Sequence, residues 1–254
     1  MSTVFTPSPG AAPLPRMIGA QTAYEVRNLL RNGEQLLLTL IIPVALLVLF
    51  ASAPLLDVGP GRRVDFLAPG VLALAVLSTA FTGQAIGTGF ERRYGVLKRL
   101  GATPLPRTGL IAAKSLTVLL VELLQTVVVG AVALALGWSP HGDPAVAVLL
   151  VLVGTAAFSG FGLLMAGTLR AEATLAAANL VYLLLLVLGG VVFPLTKFSG
   201  GLRSVLELLP ISALADGLRQ VLQHGAGLPV RDLVVLLVWA VLGLALAARF
   251  FRWE

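Results

Sequence analysis

Six apolar runs dominate this sequence, and they restrict its fold more than any other feature. They cover residues 36–53, 66–90, 115–137, 145–169, 174–192 and 233–248. About 20 apolar helical residues cross the hydrocarbon core of a bilayer, and a helix satisfies its own backbone hydrogen bonds there. The runs therefore predict an all-α integral membrane protein with six transmembrane helices.

The segments between the runs are too short for a soluble domain. Hydrophobic residues make up 57% of the 254 residues and charged residues only 12%, against about 25% charged in an ordinary soluble domain. The longest segment between two runs, 193–232, has 40 residues, whereas a domain with its own core needs about 50 or more. We expect residues 36–254 to form a single six-span transmembrane domain.

The basic residues are distributed unevenly between the two sides of such a domain. The net charge is +6, and twelve of the 18 basic residues fall on the side of the chain termini. The positive-inside rule then places both the N and the C terminus in the cytoplasm. Orientation and attraction to anionic membrane lipid explain the basicity, so no nucleic-acid partner is expected. The expected location is the plasma membrane, as a multi-pass protein.

The first 35 residues divide into two parts. Residues 1–15 are rich in proline and small polar residues, a composition typical of a disordered tail. In residues 16–35, apolar positions such as Met17, Ala20 and Tyr24 alternate with charged ones at helical spacing. This pattern predicts an interfacial amphipathic helix on the inner membrane surface.

The segment after the second run combines charge with helical periodicity. Tyr94, Leu97 and Leu100 recur every three residues, and Gly101 and the prolines after it end the pattern. An amphipathic helix is therefore predicted over 91–100. It either holds a basic loop in the cytoplasm or docks a cytoplasmic partner. The candidate docking residues are Glu91, Arg92, Arg93, Tyr94, Leu97, Lys98 and Arg99.

This segment, together with the six runs, resembles the coupling-helix region of permeases of ATP-binding-cassette exporters with the type-2 membrane domain. The shared features are the charged cluster before Gly95, the step Thr103-Pro104-Leu105, and an outer loop that ends in Leu209-Pro210-Ile211-Ser212. The similarity covers roughly residues 20–250 and is greatest to small drug and antibiotic-resistance exporters.

The resemblance implies a permease subunit that exports a lipophilic or amphiphilic compound. Its implied partners are two cytoplasmic ATP-binding-cassette ATPase subunits and a second permease copy or a paralogue. ATP and Mg would be bound by the ATPase, and this chain would hold no cofactor and would not be an enzyme by itself. The sequence agrees, because its nearest approach to a P-loop has Thr108 and Ala113 where glycines are required.

Metal and thiol chemistry have no residues to support them inside the predicted spans. The chain has no cysteine, and its two histidines, His141 and His224, fall in the outer loops. No metal site is expected.

Glu122 is the one ionisable residue inside a predicted span. A carboxylate there is costly and should face the helix bundle. Ser115, Glu122 and Thr126 are spaced to form one polar stripe. Either Glu122 belongs to a translocation or proton-coupling route, or its carboxyl holds helices together by hydrogen bonds. The same two interpretations apply to the other candidate translocation residues, Gln84, Gln125, Thr126, Asn179 and Tyr182.

The long loop 193–232 contains two short amphipathic stretches, 202–209 and 212–224, which Pro210 separates. Both are too short to span a bilayer. They predict an outer re-entrant helix pair, and the resemblance implies a lid over the exit. A passive interfacial anchor is the alternative. The residues proposed for this lid are Pro210, Leu214, Asp216, Leu218 and Arg219.

Two other functions fit the same sequence. A proton-coupled secondary transporter built around Glu122 would need a proton gradient and no ATPase partner. A membrane scaffold or assembly factor would use its basic loop to recruit a cytoplasmic protein without ATPase activity. A neighbouring reading frame that encodes a Walker-motif ATPase would favour the exporter over both.

Overall fold

The computed structural model describes residues 10–33, 37–52 and 61–251, and every regular element within these ranges is helical. The predicted all-α membrane fold is confirmed. Most of the proline-rich segment expected to be a disordered tail lies outside the described residues. Residues 14 and 15 of that segment already belong to a helix.

Six helices correspond to the six apolar runs. Span 1 consists of the π-helical turn Leu37–Ile41 and the α-helix Ile42–Ser52. Span 2 is Arg63–Arg93, span 3 Arg107–Ala135, span 4 Pro144–Thr168, span 5 Ala171–Leu188 and span 6 Val230–Phe250. Spans 2 to 6 are long and apolar enough to cross a membrane, whereas span 1 is shorter.

The helix ends differ from the predicted limits because a helix does not stop where apolar residues stop. Span 3 begins at Arg107, eight residues before the predicted start, directly after Pro106. Proline is well suited to a helix start, since it lacks the N–H that would have no partner there. Span 5 ends at Leu188 rather than at residue 192.

Span 2 is the central helix of the bundle. It contacts spans 1, 3, 4 and 5, and 89% of its most apolar window is buried, compared with 17–44% in the four other long spans. Its middle turn, Leu77–Gly83, is π-helical. Span 4 approaches this turn closely at Gly162, where a Cβ atom would lie 2.9 Å from the Phe81 carbonyl oxygen. A larger residue at 162 would therefore push spans 2 and 4 apart.

The N-terminal helix, Leu14–Arg31, packs along the beginning of span 3. The Thr22 hydroxyl is buried and donates a hydrogen bond of 3.3 Å to the Ala113 carbonyl oxygen. Most other residues of this helix are partly or fully exposed. Its limits differ from the predicted 16–35, and residues 34–35 lie outside the described part of the chain.

The single helix predicted over 91–100 is wrong. Span 2 continues through Arg93, a turn follows at Tyr94 and Gly95, and a separate helix, Val96–Gly101, begins after it. Gly95 has φ +68°, a left-handed conformation that ends helices and favours glycine. The break also separates Tyr94, 61% exposed, from Leu97, 4% exposed, which the periodicity had placed on one face. We call Val96–Gly101 the loop helix.

The segment between spans 5 and 6 contains two α-helices, as predicted, but with different limits and burial, and a 3-10 turn, Leu195–Lys197, precedes them. The short helix Gly200–Leu206 is mostly exposed. The helix Pro210–Leu222, which we call the buried helix, packs against spans 2, 4 and 6. Pro210 is its first residue rather than a separator, which is a favourable position for proline. Leu214 and Leu218 are fully buried.

The connecting segments gather at two opposite ends of the bundle. The N-terminal helix, the loop helix and the junction of spans 4 and 5 share one end, which we call the basic end. The far end holds the buried helix and the connection between spans 3 and 4: Arg62 donates to the Gly137 carbonyl oxygen at 2.5 Å, and the His141 N–H to the Leu222 carbonyl oxygen at 2.8 Å. This grouping is the one that the predicted topology requires.

Candidate functional site

A cleft of about 620 Å³ opens at the basic end, between the N-terminal helix, span 2 and span 3. Its wall on span 2 extends from Glu91 to Thr79, a distance of about 18 Å at 1.5 Å per residue. The cleft therefore reaches from the end of the bundle towards the middle of the membrane-spanning region. Its mouth and its floor differ in chemistry.

An ion cluster at the mouth joins three helices. The Lys114 ammonium lies 2.6 Å from the Glu91 carboxylate and 3.5 Å from that of Glu25, and Gln21 donates to Glu25 at 2.9 Å. Lys114 is only 9% exposed. A charge with so little water needs its partners, so the cluster fixes the N-terminal helix against spans 2 and 3.

The floor of the cleft is held by Gln125 of span 3. Its amide donates to the Thr39 carbonyl oxygen at 2.6 Å and accepts from the Thr79 hydroxyl at 2.9 Å. Thr39 and Thr79 belong to the π-helical turns of spans 1 and 2, and both line the cleft. One buried glutamine thus connects two π-helical turns, a type of distortion often found at functional sites. Gln84, about one helical turn closer to the mouth than Thr79, also lines the cleft.

The last two residues of span 2, which precede the loop helix, connect the end of span 2 to the start of span 5. Arg92 donates to the Leu169 carbonyl oxygen, and Arg93 forms an ion pair with Glu172 at the start of span 5. Arg99 caps the turn by donating to the Tyr94 carbonyl oxygen at 3.0 Å. These contacts hold the end of span 2, from which the loop helix continues, against the start of span 5.

The seven predicted docking residues do not form one surface. Glu91 points into the cleft and Leu97 is buried beneath the loop helix. Tyr94, Lys98 and Arg99 are exposed at the basic end.

The predicted translocation residues do not converge either. Glu122 and Gln125 are buried, but Ser115 and Thr126 are exposed on the outside of span 3, so the predicted polar stripe is wrong. Glu122 has Gln125 and Thr126 about one turn further along span 3, on two adjacent faces of the helix. The packing of the bundle buries the face with Gln125 and leaves the face with Thr126 exposed. Gln125 belongs to the cleft floor, and Gln84 lines the cleft wall.

The remaining residues of that set lie elsewhere in the bundle. Glu122 accepts a 2.6 Å hydrogen bond from Thr155 of span 4 and does not line the cleft. Asn179 is exposed and donates to the Leu175 carbonyl oxygen of its own helix at 3.0 Å, and Tyr182 is half-buried.

A sequence comparison identifies the architecture built from these helices. The model of the ABC-2 type transporter family matches residues 17–222, from the N-terminal helix through the buried helix. This chain belongs to that family. The ABC-2 type transporter is thus a multi-pass membrane permease of the ATP-binding-cassette class, and the plasma membrane is its usual location. No curated protein sequence matches the chain.

As an ABC-2 permease, the chain is a transport component and not itself a catalyst, and such permeases work with ATP-binding-cassette partners. The described residues contain no group of three or more His, Cys, Asp or Glu that could hold a metal ion.

The far end of the permease is organised by one buried cation. The Arg219 guanidinium donates to the carbonyl oxygens of Phe66 at 3.1 Å and Val191 at 2.9 Å and to the Asp216 carboxylate at 2.8 Å. It also lies 3.8 Å from the centre of the Phe66 ring. Burial raises the pKa of Asp216, and Arg219 opposes that rise. These contacts attach the buried helix to span 2 and to the end of span 5.

The short helix is attached separately. The Glu207 carboxylate, just after its end, lies 2.7 Å from Arg203 and 2.8 Å from Arg231 of span 6. The two guanidinium groups hold the pKa of Glu207 below its usual range. Because the Arg231 side chain is 65% exposed, its pair with Glu207 stabilises this attachment only weakly.

The sequence did not indicate Glu25, Thr39, Thr79 or Lys114 as site residues. Lys114 directly follows Ala113 in the segment that lacks the P-loop glycines, and no site role was predicted for it. A usable signal was present: Glu91 and Lys114 occupy the same side of the membrane at the ends of adjacent spans, where opposite charges tend to pair. Thr39 contributes through its backbone oxygen, which no side-chain pattern reveals.

Proposed function

We propose that this ABC-2 permease exports lipophilic or amphiphilic compounds, driven by ATP hydrolysis in separate ATPase chains. The observation that carries the coupling is the arrangement at the basic end. Tyr94, Lys98 and Arg99 are exposed there, while Arg92, Arg93 and Leu97 connect the same segment to the bundle. The segment can therefore contact a partner and transmit its movement to the spans.

Span 2 provides the mechanical path in this proposal. It runs without a break from the turn at Tyr94 to the far end, where Arg219 holds the buried helix against it. An ATPase that moves the loop helix would tilt span 2, and the buried helix would follow as part of the same unit. The proposed outer closure, residues 193–232, is then moved by span 2 instead of swinging as an independent lid.

Membership of a family whose permeases work with ATP-binding-cassette partners supports a proposal about stoichiometry. We propose two ATPase subunits, which bind ATP and Mg, and a second permease copy or paralogue that completes the route. The substrate class is inferred from the apolar spans, where Glu122 is the one ionisable group well inside the predicted apolar runs. The resemblance of the sequence to small drug and antibiotic-resistance exporters is consistent with this substrate class.

The proton-coupled alternative finds less support. It needs Glu122 on a route that solvent or substrate can reach, whereas the carboxylate is 3% exposed and bonded to Thr155 between spans 3 and 4. This position supports the packing role. The scaffold alternative predicts a cytoplasmic partner without ATPase activity, whereas the export proposal predicts a partner that hydrolyses ATP.

The coupling proposal is tested with Tyr94→Ala and a matched control. The permease is co-expressed with an ATP-binding-cassette ATPase encoded beside it, and ATP hydrolysis by the purified complex is measured in nanodiscs. Tyr94→Ala should lose the stimulation that the permease gives, because an exposed ring at the contact is removed. Phe193→Ala removes an exposed ring at the far end and should keep it.

Two results would contradict the proposal. Equal stimulation by Tyr94→Ala and Phe193→Ala would exclude the loop helix as the contact. ATP hydrolysis by the purified permease alone would contradict the need for a separate ATPase.

A further inference from the structure

The cleft at the basic end has an unmet hydrogen-bond acceptor in its wall. Gln84 is 7% exposed and lines the cleft, and its Oε1 atom has no hydrogen-bond partner within the described part of the chain. An unsatisfied buried polar group costs about 1–3 kcal/mol. A molecule in the cleft that offers an N–H or O–H group would remove this cost after a rotation of the amide.

The charges in the cleft wall favour a cation. Glu25 and Glu91 share the single ammonium of Lys114. The other cation of the wall, Arg99, lies at the exposed mouth and donates to the Tyr94 carbonyl oxygen. The ion cluster, whose side chains are less exposed than Arg99, therefore has two carboxylates for one ammonium, and this surplus negative charge attracts a positively charged ligand.

The remaining wall suits an apolar body next to that charge. Phe90 contributes an aromatic face to the cleft wall, and aromatic faces attract cations. The Tyr94 ring, stacked on Phe90 at 6.0 Å, already has the Arg93 guanidinium over it. Val118 and Val121 of span 3 give the opposite wall an apolar surface. A ligand with one cationic, hydrogen-bonding end and one apolar end matches this distribution.

We propose that the cleft binds an amphiphile with a protonated amine. Its N–H groups find acceptors along the wall of span 2, at Gln84 or near Glu91, and its apolar part packs against Val118 and Val121. This inference rests on the proposed export function and narrows its substrate class. A membrane lipid with an ammonium headgroup has the same chemistry as an exported amine, and the experiment distinguishes the two.

The test uses the natural absence of cysteine from the chain. Gly87 lines the cleft, and a Cβ atom there meets nothing within 4 Å, so Gly87→Cys introduces a thiol without strain. The full permease with its ATPase is placed in phosphatidylcholine nanodiscs without ATP. The rate of thiol labelling by N-ethylmaleimide is measured with dodecylamine, dodecyltrimethylammonium or dodecanoate. Gly19→Cys, on the exposed N-terminal helix, is the control site.

Dodecylamine should slow labelling at position 87 several-fold and leave position 19 unchanged. Dodecyltrimethylammonium has the charge but no N–H group and should protect less, and dodecanoate should not protect.

Gln84→Leu should weaken the protection by dodecylamine and Gln84→Glu should strengthen it. Asn179→Leu, which removes an exposed amide on span 5, should have no effect. Slowed labelling in nanodiscs that contain phosphatidylethanolamine, with no added amine, would support the same chemistry and identify a lipid as its source.

Equal protection by all three amphiphiles would overturn the inference, since partition into the bilayer would explain it. Disulfide-linked dimers of Gly87→Cys would also overturn it, because a second permease copy would then occupy the cleft. The export proposal is judged independently by repeating the ATPase assay with Lys98→Ala, because Lys98 is exposed on the loop helix and, unlike Tyr94, is not among the residues that line the cleft. Loss of amine protection with intact coupling would refute the binding site alone.

Discussion

At the scale of single residues, Lys114 shows how a charge can be retained inside a membrane bundle. Its ammonium lies between two carboxylates from two other helices, and little water reaches it. Removing one member of such a cluster leaves the others without compensation, which usually costs more than removing them together.

Lys114→Met is therefore expected to destabilise the permease by roughly 1–3 kcal/mol, less than for a fully buried pair because Glu91 keeps some contact with solvent. The double variant Lys114→Met with Glu91→Gln should recover part of this loss, since an unpaired carboxylate is removed as well. Thermal unfolding in nanodiscs measures both. A double variant less stable than Lys114→Met would show that the ion pair is not the source of the effect.

At the scale of helices, the distances between spans depend on glycines more than on the apolar residues that define the spans. Gly162 of span 4 faces the carbonyl oxygens of the π-helical turn of span 2, and Gly87 of span 2 faces open space. The two glycines look alike in the sequence, because both are in apolar helices beside other small residues.

Alanine substitutions at these two glycines should have opposite effects. Gly162→Ala places its Cβ atom 2.9 Å from the Phe81 carbonyl oxygen and should destabilise the bundle by about 1–3 kcal/mol through overpacking. Gly87→Ala meets no atom within 4 Å and should stabilise the helix by about 0.5–1 kcal/mol. Unfolding midpoints of the two purified variants test the pair. Similar midpoints would mean that spans 2 and 4 are not in close contact at Gly162.

At the scale of the whole molecule, the connections separate into a basic end and a far end. This separation lets the predicted topology be tested with one residue from each end. Lys98 is exposed on the loop helix, and Ser139 is exposed in the connection between spans 3 and 4.

With the basic end in the cytoplasm, an impermeant thiol reagent added to intact cells should label Ser139→Cys and not Lys98→Cys. Opening the cells should expose both. Labelling of Lys98→Cys from outside would reverse the orientation and place the proposed ATPase contact on the wrong side of the membrane.

The sequence alone was sufficient for the fold class and for the family, because long apolar runs have one stable solution in lipid and because the segment after span 2 is distinctive. It also predicted the six apolar helices, of which five are long enough to cross a membrane and the first is shorter. It also predicted two helices between spans 5 and 6. Helix limits were less accurate, since proline and glycine, rather than the end of apolar composition, determine where spans 2 and 3 end and begin.

The tertiary structure decided which polar residues come together. A helical period places Thr126 and Gln125 on neighbouring faces of span 3, and only the packing of spans 1, 2 and 4 around it buries Gln125 and leaves Thr126 exposed. The cleft depends on partners distant in sequence, such as Glu25 and Lys114, and on a backbone oxygen at Thr39. Local patterns determine which segments become helices, but the contacts between helices depend on the whole bundle at once, and these contacts form the site.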